Sequence, residues 1–155
     1  MFTIGVYGFT EEQFYGKLKK HHIDTFVDIR LRRGMRGGKY AFVNSSYLQI
    51  KLKELEICYK HEKGLAPTKE IRDEQKNEDR KLGVLKRNRG ILSDTFVQKY
   101  SSTCLDQFDF MGFKNKFSDD CHVVLFCVEA NHEACHRSLV ASKMKDLFDM
   151  EVYHL

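Results

Sequence analysis

The sequence predicts a single-domain, open α/β fold: a mainly parallel sheet with helices on both faces, in a Rossmann-like three-layer arrangement. Short runs of β-branched and aromatic residues alternate with segments of helical periodicity along the chain. This alternation favours parallel strands joined by right-handed crossovers. The strand candidates are continuously apolar, which is typical of parallel strands buried on both faces.

The first half of the chain contains three predicted strands and two predicted helices. The strands are Phe2–Tyr7, Ile23–Ile29 and Ile57–Tyr59. Thr10 is the predicted N-cap of the first helix, because Glu11 and Glu12 follow it in the first turn. We expect Ser45 or Ser46 to cap the second helix.

The second half begins with a highly charged helical segment at about residues 67–90, which we predict to be a solvated helix starting near Thr68. The remaining predicted elements are two short helices, a strand, a long helix and a last strand, at Ser93–Ser102, Phe108–Phe117, His122–Val128, Glu133–Phe148 and Glu151–Leu155. No repeat or linker interrupts this order, so we expect one domain over residues 1–155.

Composition predicts a cytoplasmic protein without a membrane segment. Hydrophobic residues make up 42% of the chain and charged residues 31%, and no apolar run approaches the roughly 20 residues that span a bilayer. The amino-terminal apolar run indicates a strand rather than a signal peptide. The five cysteines favour reduced thiols over a disulfide framework. A net charge of +4 is compatible with an anionic ligand without requiring nucleic acid.

Polar residues follow four of the predicted strands, at the end where parallel sheets bind their ligands. They are Thr10 after the first strand, Asp28, Arg30 and Arg33 after the second, His61 after the third, and Cys127, Glu129, His136 and Arg137 after the fourth. Because the topology brings these strand ends to one edge, we expect one composite site.

The carboxylates are the first candidates for catalysis. Glu129 follows a strand of buried character, where desolvation would raise its pKa and suit it to act as a base or nucleophile, with Asp28 as a partner. The alternatives are structural: Glu129 caps the next helix or pairs with Arg137, and Asp28 pairs with Arg30.

Arginines give the predicted site an affinity for anions. Arg30, Arg33 and Arg137, with the free amides at a helix start, form a corner suited to phosphate or carboxylate. Thr10 is a further candidate contact for the anion. The expected ligand is small and anionic, or nucleotide-like.

The histidines and cysteines offer other chemistries. His61 and His136 could transfer protons. Cys127 could be a thiolate nucleophile at the next helix start, whereas Cys135 within that helix is either packed or a disulfide partner for Cys127. The spacing argues against a metal site, because Cys135 and His136 would point about 100° apart on a helix.

Three segments resemble the domain of unknown function 488 family: "IGVYGFT" with the later "VDIR", "CYKHEKGLAPTKEIRD", and "LFCVEANHEACHRSLVA". The resemblance implies a compact bacterial or archaeal α/β domain and no particular chemistry. The matching positions are Asp28, Arg30, His61, Gly64, Cys127, Glu129, Cys135, His136 and Arg137. The loop "LRRGMRGGKYAFV" departs from the family pattern, which has a proline soon after the arginine.

The leading hypothesis is an enzyme, a hydrolase or group transferase, acting on an anionic, nucleotide-like substrate at the carboxyl edge of the sheet. A nucleic-acid-binding module using "RLRRGMRGGK" and "RKLGVLKRNRG" is the alternative, although acidic residues interrupt the charged segment. A thiol-redox or zinc-binding protein is the third. The sequence identifies no cofactor and no oligomeric state.

Overall fold

A five-stranded, all-parallel sheet with the order β3-β2-β4-β1-β5 forms the centre of the computed structural model, which describes residues 1–85 and 88–155. The strands are β1 (Phe2–Ile4), β2 (Thr25–Asp28), β3 (Cys58–His61), β4 (Val123–Phe126) and β5 (Tyr153–His154). The predicted open α/β fold with a parallel sheet is confirmed, and the four longer strands lie at or near their predicted places.

Six α-helices cover the sheet within the described residues. They are α1 (Glu11–Lys20), α2 (Ser45–Glu54), α3 (Lys69–Lys81), α4 (Asp94–Tyr100), α5 (Phe110–Lys114) and α6 (His136–Phe148). With right-handed crossovers, this strand order places α1 and α2 on one face and α3 to α6 on the other. Among these helices, none is long and apolar enough to cross a membrane.

The strand register aligns the carboxyl ends of the four longer strands. Phe126 at the end of β4 pairs with Ile4 of β1 on one side and with Asp28 of β2 on the other. Asp28 in turn pairs with His61 at the end of β3. The residues that follow these four strands therefore emerge at one edge of the sheet.

The connections place a crevice between β2 and β4. The chain leaves β2 towards β3 on one side of the sheet, and it leaves β4 towards β5 on the other. Loops that diverge from two adjacent parallel strands leave a crevice, which is where open α/β sheets bind ligands. We therefore expect the segments after Asp28 and Phe126 to form the functional site.

The helix caps confirm one sequence prediction and correct another. Thr10 caps α1 reciprocally: its hydroxyl accepts from the Gln13 amide at 3.2 Å, and the Gln13 side chain accepts from the Thr10 amide at 2.9 Å. The prediction that Ser45 or Ser46 caps α2 is wrong, because the helix begins at Ser45 with Asn44 in the N-cap position. The Asn44 side chain accepts from the Met35 amide instead, so it stabilises the preceding loop.

The start of α6 also differs from the prediction. Cys135 has an extended backbone (φ −138°, ψ 138°) in the N-cap position, and the helix begins at His136. The preceding residues form a turn in which the Cys135 amide donates to the His132 carbonyl. The expectation that Cys135 lies inside the helix is therefore wrong.

The charged segment predicted as a helix at about 67–90 forms an α-helix only over α3 (Lys69–Lys81), and one face of that helix is buried rather than solvated. Ile71, Gln75 and Asp79 lie four residues apart on α3, and their side chains are buried. Helix α3 packs against α4, which is the next helix in the chain. Residues 86 and 87 of the predicted charged helix lie outside the described residues.

The last strand is joined to the loop before α6 by two stacked imidazoles. The rings of His132 and His154 lie 3.6 Å apart and are nearly parallel, and the Thr3 hydroxyl is 2.7 Å from Nδ1 of His154. Burial, followed by the nearby charges of His132 and Arg137, lowers the pKa of His154.

Replacing Gly5 by Ala should strongly destabilise the fold. A Cβ at Gly5 would lie 2.0 Å from the Glu129 carbonyl oxygen, where β1 passes the loop after β4. We expect the free energy of unfolding to fall by at least about 3 kcal/mol in denaturant titrations. The control is Gly16→Ala on the exposed side of α1, where nothing lies within 4 Å, and it should gain up to about 1 kcal/mol. Equal effects of the two substitutions would contradict this account.

Acidification should destabilise the protein partly through His154. Because folding lowers the pKa of this imidazole, the unfolded chain binds its proton first, and stability falls as the pH drops below about 6.5. His154→Gln should make the loss of unfolding free energy between about pH 7 and pH 5 shallower. His22→Asn, at an exposed histidine, should leave the slope unchanged. Identical slopes for wild type and His154→Gln would refute the prediction.

Candidate active site

A pocket of about 150 Å³ opens in the crevice between β2 and β4. Its walls come from the loop after β2, from the first half of α3 with the residues before it, from residues 89–96 leading into α4, and from the loop that joins β4 to α6. The polar and ionisable residues among the lining are Arg30, Arg32, Arg72, Gln75, Arg89, Cys127, Glu129, Cys135 and His136. The site is thus built from four separate stretches of sequence.

A buried ion pair holds the loop after β2. Arg30 donates to both carboxylate oxygens of Asp28, from Nε at 2.8 Å and from Nη2 at 2.7 Å, and both side chains are almost completely buried. The Tyr59 hydroxyl donates to the same carboxylate, and Arg30 Nη2 also donates to the Val43 carbonyl. The guanidinium lies 4.5 Å from the centroid of the Phe126 ring. The negative charge of Asp28 is therefore balanced by Arg30.

A second network joins the charged segment to the loop before α6. Arg89 pairs with Asp79 at 2.8 Å, donates to the Ala134 carbonyl at 3.0 Å, and lies 3.9 Å from the Glu129 carboxylate. The Gln75 side chain donates to the other oxygen of Asp79. The prediction that the charged segment is a solvated helix did not identify this network. The four-residue spacing of Gln75 and Asp79 on one helical face was the available signal.

Two thiols and an imidazole converge on the pocket. His136 Nδ1 lies 3.8 Å from Cys127 Sγ and 3.9 Å from Cys135 Sγ. On the far side of the ring, Nε2 is 3.2 Å from the Ile29 carbonyl oxygen. Since a carbonyl only accepts hydrogen bonds, Nε2 carries a proton there and Nδ1 faces the two sulfurs. The argument that spacing separates Cys135 from His136 therefore fails, because Cys135 precedes the helix.

The two thiols differ in acidity. The hydrogen bond to Cys135, followed by burial, raises the pKa of Cys127. Burial also acts to raise the pKa of Cys135, but the hydrogen bonds with Cys127 and His136 and the electrostatic influence of His136 and Arg137 outweigh it and set that pKa below the ordinary value.

Two further predicted site residues support the loops rather than line the pocket. Arg137 is buried, donating from Nη1 to the Glu129 carbonyl at 2.6 Å and from Nη2 to the Ala130 carbonyl at 3.0 Å. Nε2 of His61 is 2.9 Å from the Arg30 carbonyl oxygen. These contacts fix the backbone after β4 and after β2.

The structure brings some of the predicted site residues together and separates others. Those that line the pocket are Arg30, Cys127, Glu129 and His136, while Asp28, His61 and Arg137 lie behind its walls. Arg33 lies 3.5 Å from the Tyr59 hydroxyl, outside the lining. Thr10 lines a different depression, at the start of α1. The catalytic and binding roles assigned to all nine remain predictions.

Breaking the Asp28–Arg30 pair should cost far more than breaking a surface pair. Asp28→Ala leaves the Arg30 guanidinium buried without its carboxylate, so we expect the free energy of unfolding to drop by about 3–5 kcal/mol. The matched control is Glu54→Ala, which removes the exposed pair with Lys51 and should cost at most about 1 kcal/mol. Denaturant titration of both variants measures the difference. A loss at Asp28 no larger than that at Glu54 would contradict the structural role.

Comparisons with known proteins place the chain in a family. No curated protein and no solved structure matches it. The family model described as "Domain of unknown function DUF488" matches residues 10–144. That span contains the strand ends after β2, β3 and β4 and every residue that lines the pocket. With most of its length matched, this chain belongs to the DUF488 family.

Proposed function

We propose that the protein is an enzyme, a hydrolase or group transferase, that acts on a small anionic, nucleotide-like substrate bound in the pocket between β2 and β4. Support comes from the charge of the pocket, from its unsatisfied donors, and from the reactive groups in the same walls. The observation that carries the proposal is the presence of buried arginine N–H groups without a hydrogen-bond partner in the pocket lining.

The pocket has an excess of positive charge. Four arginines line it: Arg30, Arg32, Arg72 and Arg89. Asp28 balances Arg30, and Asp79 balances Arg89. Within the described part of the chain, Arg32 and Arg72 form no ion pair with an acidic residue. Glu129 is the one acidic residue among the described residues that line the pocket, so these two side chains outnumber it and supply the net attraction for an anion.

Two buried guanidinium groups in the pocket lining each have an N–H group without a hydrogen-bond partner. Among the described residues, the buried arginine nitrogens without a partner are Arg30 Nη1, Arg89 Nε and Arg137 Nε, and the first two belong to residues that line the pocket. Leaving a buried donor unsatisfied costs about 1–3 kcal/mol, and more for a charged group. Both residues line the pocket, so the oxygens of a bound phosphate or carboxylate are suitable acceptors.

Groups able to act on a bound substrate occupy the adjoining wall. Glu129 is 4% exposed, lines the pocket, and is the proposed base or nucleophile. The thiols of Cys127 and Cys135 and the imidazole of His136 lie beside it in the lining. In this proposal Arg32 and Arg72 attract the anion, Arg30 Nη1 and Arg89 Nε donate hydrogen bonds to its oxygens, and Glu129 acts on the group next to it.

The size of the pocket favours a small ligand over a nucleic acid. A space of about 150 Å³ accommodates a phosphate group with little else, and the remainder of a nucleotide would extend over the rim. The nucleic-acid alternative uses basic loops, and part of the segment it depends on, residues 86 and 87, lies outside the described residues. Its distinguishing property is a steep dependence of affinity on salt concentration.

Replacing Arg72 should weaken anion binding selectively. Arg72→Gln and Arg32→Gln each remove one charged contact worth about 1.5–3 kcal/mol, so the dissociation constant for pyrophosphate should rise about 10–100-fold. Isothermal titration calorimetry or NMR titration measures the constant. The control is Arg80→Gln, an exposed arginine on the same helix that does not line this pocket, and it should bind as the wild type does. Wild-type affinity in both pocket variants would refute the proposed anion site.

Turnover separates an enzyme from a binding module. We expect a panel of nucleotides and phosphate esters to contain a substrate whose turnover falls by at least about 100-fold in Glu129→Gln while pyrophosphate still binds. Glu133→Gln, an exposed neighbour in the same loop, is the matched control. Pyrophosphate binding with no turnover of any panel member would argue against the enzyme. Salt-dependent binding of DNA or RNA that survives Arg32→Gln and Arg72→Gln would favour the alternative.

A further inference from the structure

We infer that Cys127, Cys135 and His136 form a three-ligand site for a zinc-type divalent ion, with the fourth coordination position open to the pocket. The donor set is two thiolates and one imidazole, which suits zinc by ligand type. The ligand Sγ and Nδ1 atoms all lie within 4.8 Å of one another, and the three residues are buried.

The separations of the donor atoms fit tetrahedral coordination. With Zn–S bonds of ~2.3 Å and Zn–N bonds of ~2.0–2.1 Å, tetrahedral angles place a sulfur and a nitrogen ligand about 3.6 Å apart. His136 Nδ1 lies 3.8 Å from one sulfur and 3.9 Å from the other. Both sulfur-to-nitrogen separations therefore lie within a few tenths of an ångström of the tetrahedral value, and the two sulfurs lie within 4.8 Å of each other.

The outer contacts of the imidazole match those of a metal ligand. A ligating histidine commonly donates its second ring N–H to a backbone carbonyl or carboxylate, which fixes the tautomer and the ring plane. His136 Nε2 is 3.2 Å from the Ile29 carbonyl oxygen, at the end of the neighbouring strand. This contact leaves Nδ1 as the atom that faces the two sulfurs.

The ligands are held by rigid parts of the fold. Cys127 directly follows β4, Cys135 is the N-cap residue of α6, and His136 is the first residue of that helix. The turn between them is tied to α6 through the two hydrogen bonds that Arg137 of that helix donates to the carbonyls of Glu129 and Ala130. The donor atoms are thus placed by backbone geometry, and their convergence does not depend on long mobile side chains.

The fourth position faces the proposed substrate. All three ligands line the pocket, as do Glu129 and the arginines. Three protein ligands with one open position are the pattern of catalytic rather than structural zinc sites. An oxygen of the bound anion, or a water molecule, completes the coordination. This last link rests on the proposed function, whereas the metal site itself does not.

The test loads the full-length protein with metal under reducing conditions. After removal of metal by a chelator, equilibrium dialysis against Zn²⁺ with elemental analysis should show a single ion per chain. Loading with Co²⁺ should give the intense visible absorption of tetrahedral cobalt and a thiolate-to-cobalt charge-transfer band in the near ultraviolet. X-ray absorption should show sulfur at ~2.3 Å and nitrogen or oxygen at ~2.0–2.2 Å around zinc. Wild-type protein that shows no thiolate band would overturn the inference.

Variants locate the site. Cys127→Ser, Cys135→Ser and His136→Gln should each weaken Zn²⁺ binding by more than the ~10–100-fold that the loss of an outer contact causes. Cys104→Ser, a buried thiol outside the cluster, and Cys58→Ser, an exposed one, are the controls and should bind as the wild type does. Unchanged affinity in both cluster cysteine variants would overturn the inference, and so would equal losses in the controls.

Pyrophosphate binding distinguishes the two proposals. Zinc binding by a wild-type protein that does not bind pyrophosphate would support the metal site and remove the proposed function. Pyrophosphate binding by a wild-type protein that binds neither Zn²⁺ nor Co²⁺ would support the proposed function and remove the metal site.

Discussion

The buried ion pair of Asp28 and Arg30 is the interaction on which the pocket depends. Burying two charges is costly unless hydrogen bonds satisfy both. Here the carboxylate accepts twice from the guanidinium, and it also accepts from the Arg30 amide and the Tyr59 hydroxyl. Asp28 ends β2 and Arg30 lies two residues further on, so the pair joins the last residue of the strand to the loop that follows it. The loop that forms one wall of the pocket is held to the sheet by this pair.

Arginines stabilise the other loops in a similar way. Backbone carbonyls that leave the sheet lose their strand partners and need other donors when they are buried. Arg89 donates to the carbonyl of Ala134, and Arg137 donates to two consecutive carbonyls after β4. The planar guanidinium, with five N–H groups, can satisfy several such acceptors at once. Much of the positive charge near this edge therefore supports the loops, while Arg32 and Arg72 are available to a ligand.

The chemistry of the site is concentrated where β4 meets α6. Cys127 and His136 come from the two ends of a nine-residue connection, and Cys135 reaches them because it is extended rather than helical. The same closeness that lowers the pKa of Cys135 also makes the cluster a candidate ligand set. The Glu129 carboxyl group and the cluster of two thiols and one imidazole thus lie in the lining of one pocket, which is the arrangement that the proposed enzyme requires.

The sequence by itself determined the parallel α/β fold, the N-cap at Thr10, and the strand ends that carry Cys127 and Glu129. These features follow from local signals, namely apolar runs, capping residues and the edge of a parallel sheet. Only the tertiary structure decided the strand order, the burial of Asp79 with Arg89, and the extended conformation of Cys135. Each of these depends on packing between segments far apart in the chain, which hydrophobic periodicity does not encode. A start of α6 three residues later than predicted was enough to turn separated cysteines into one cluster.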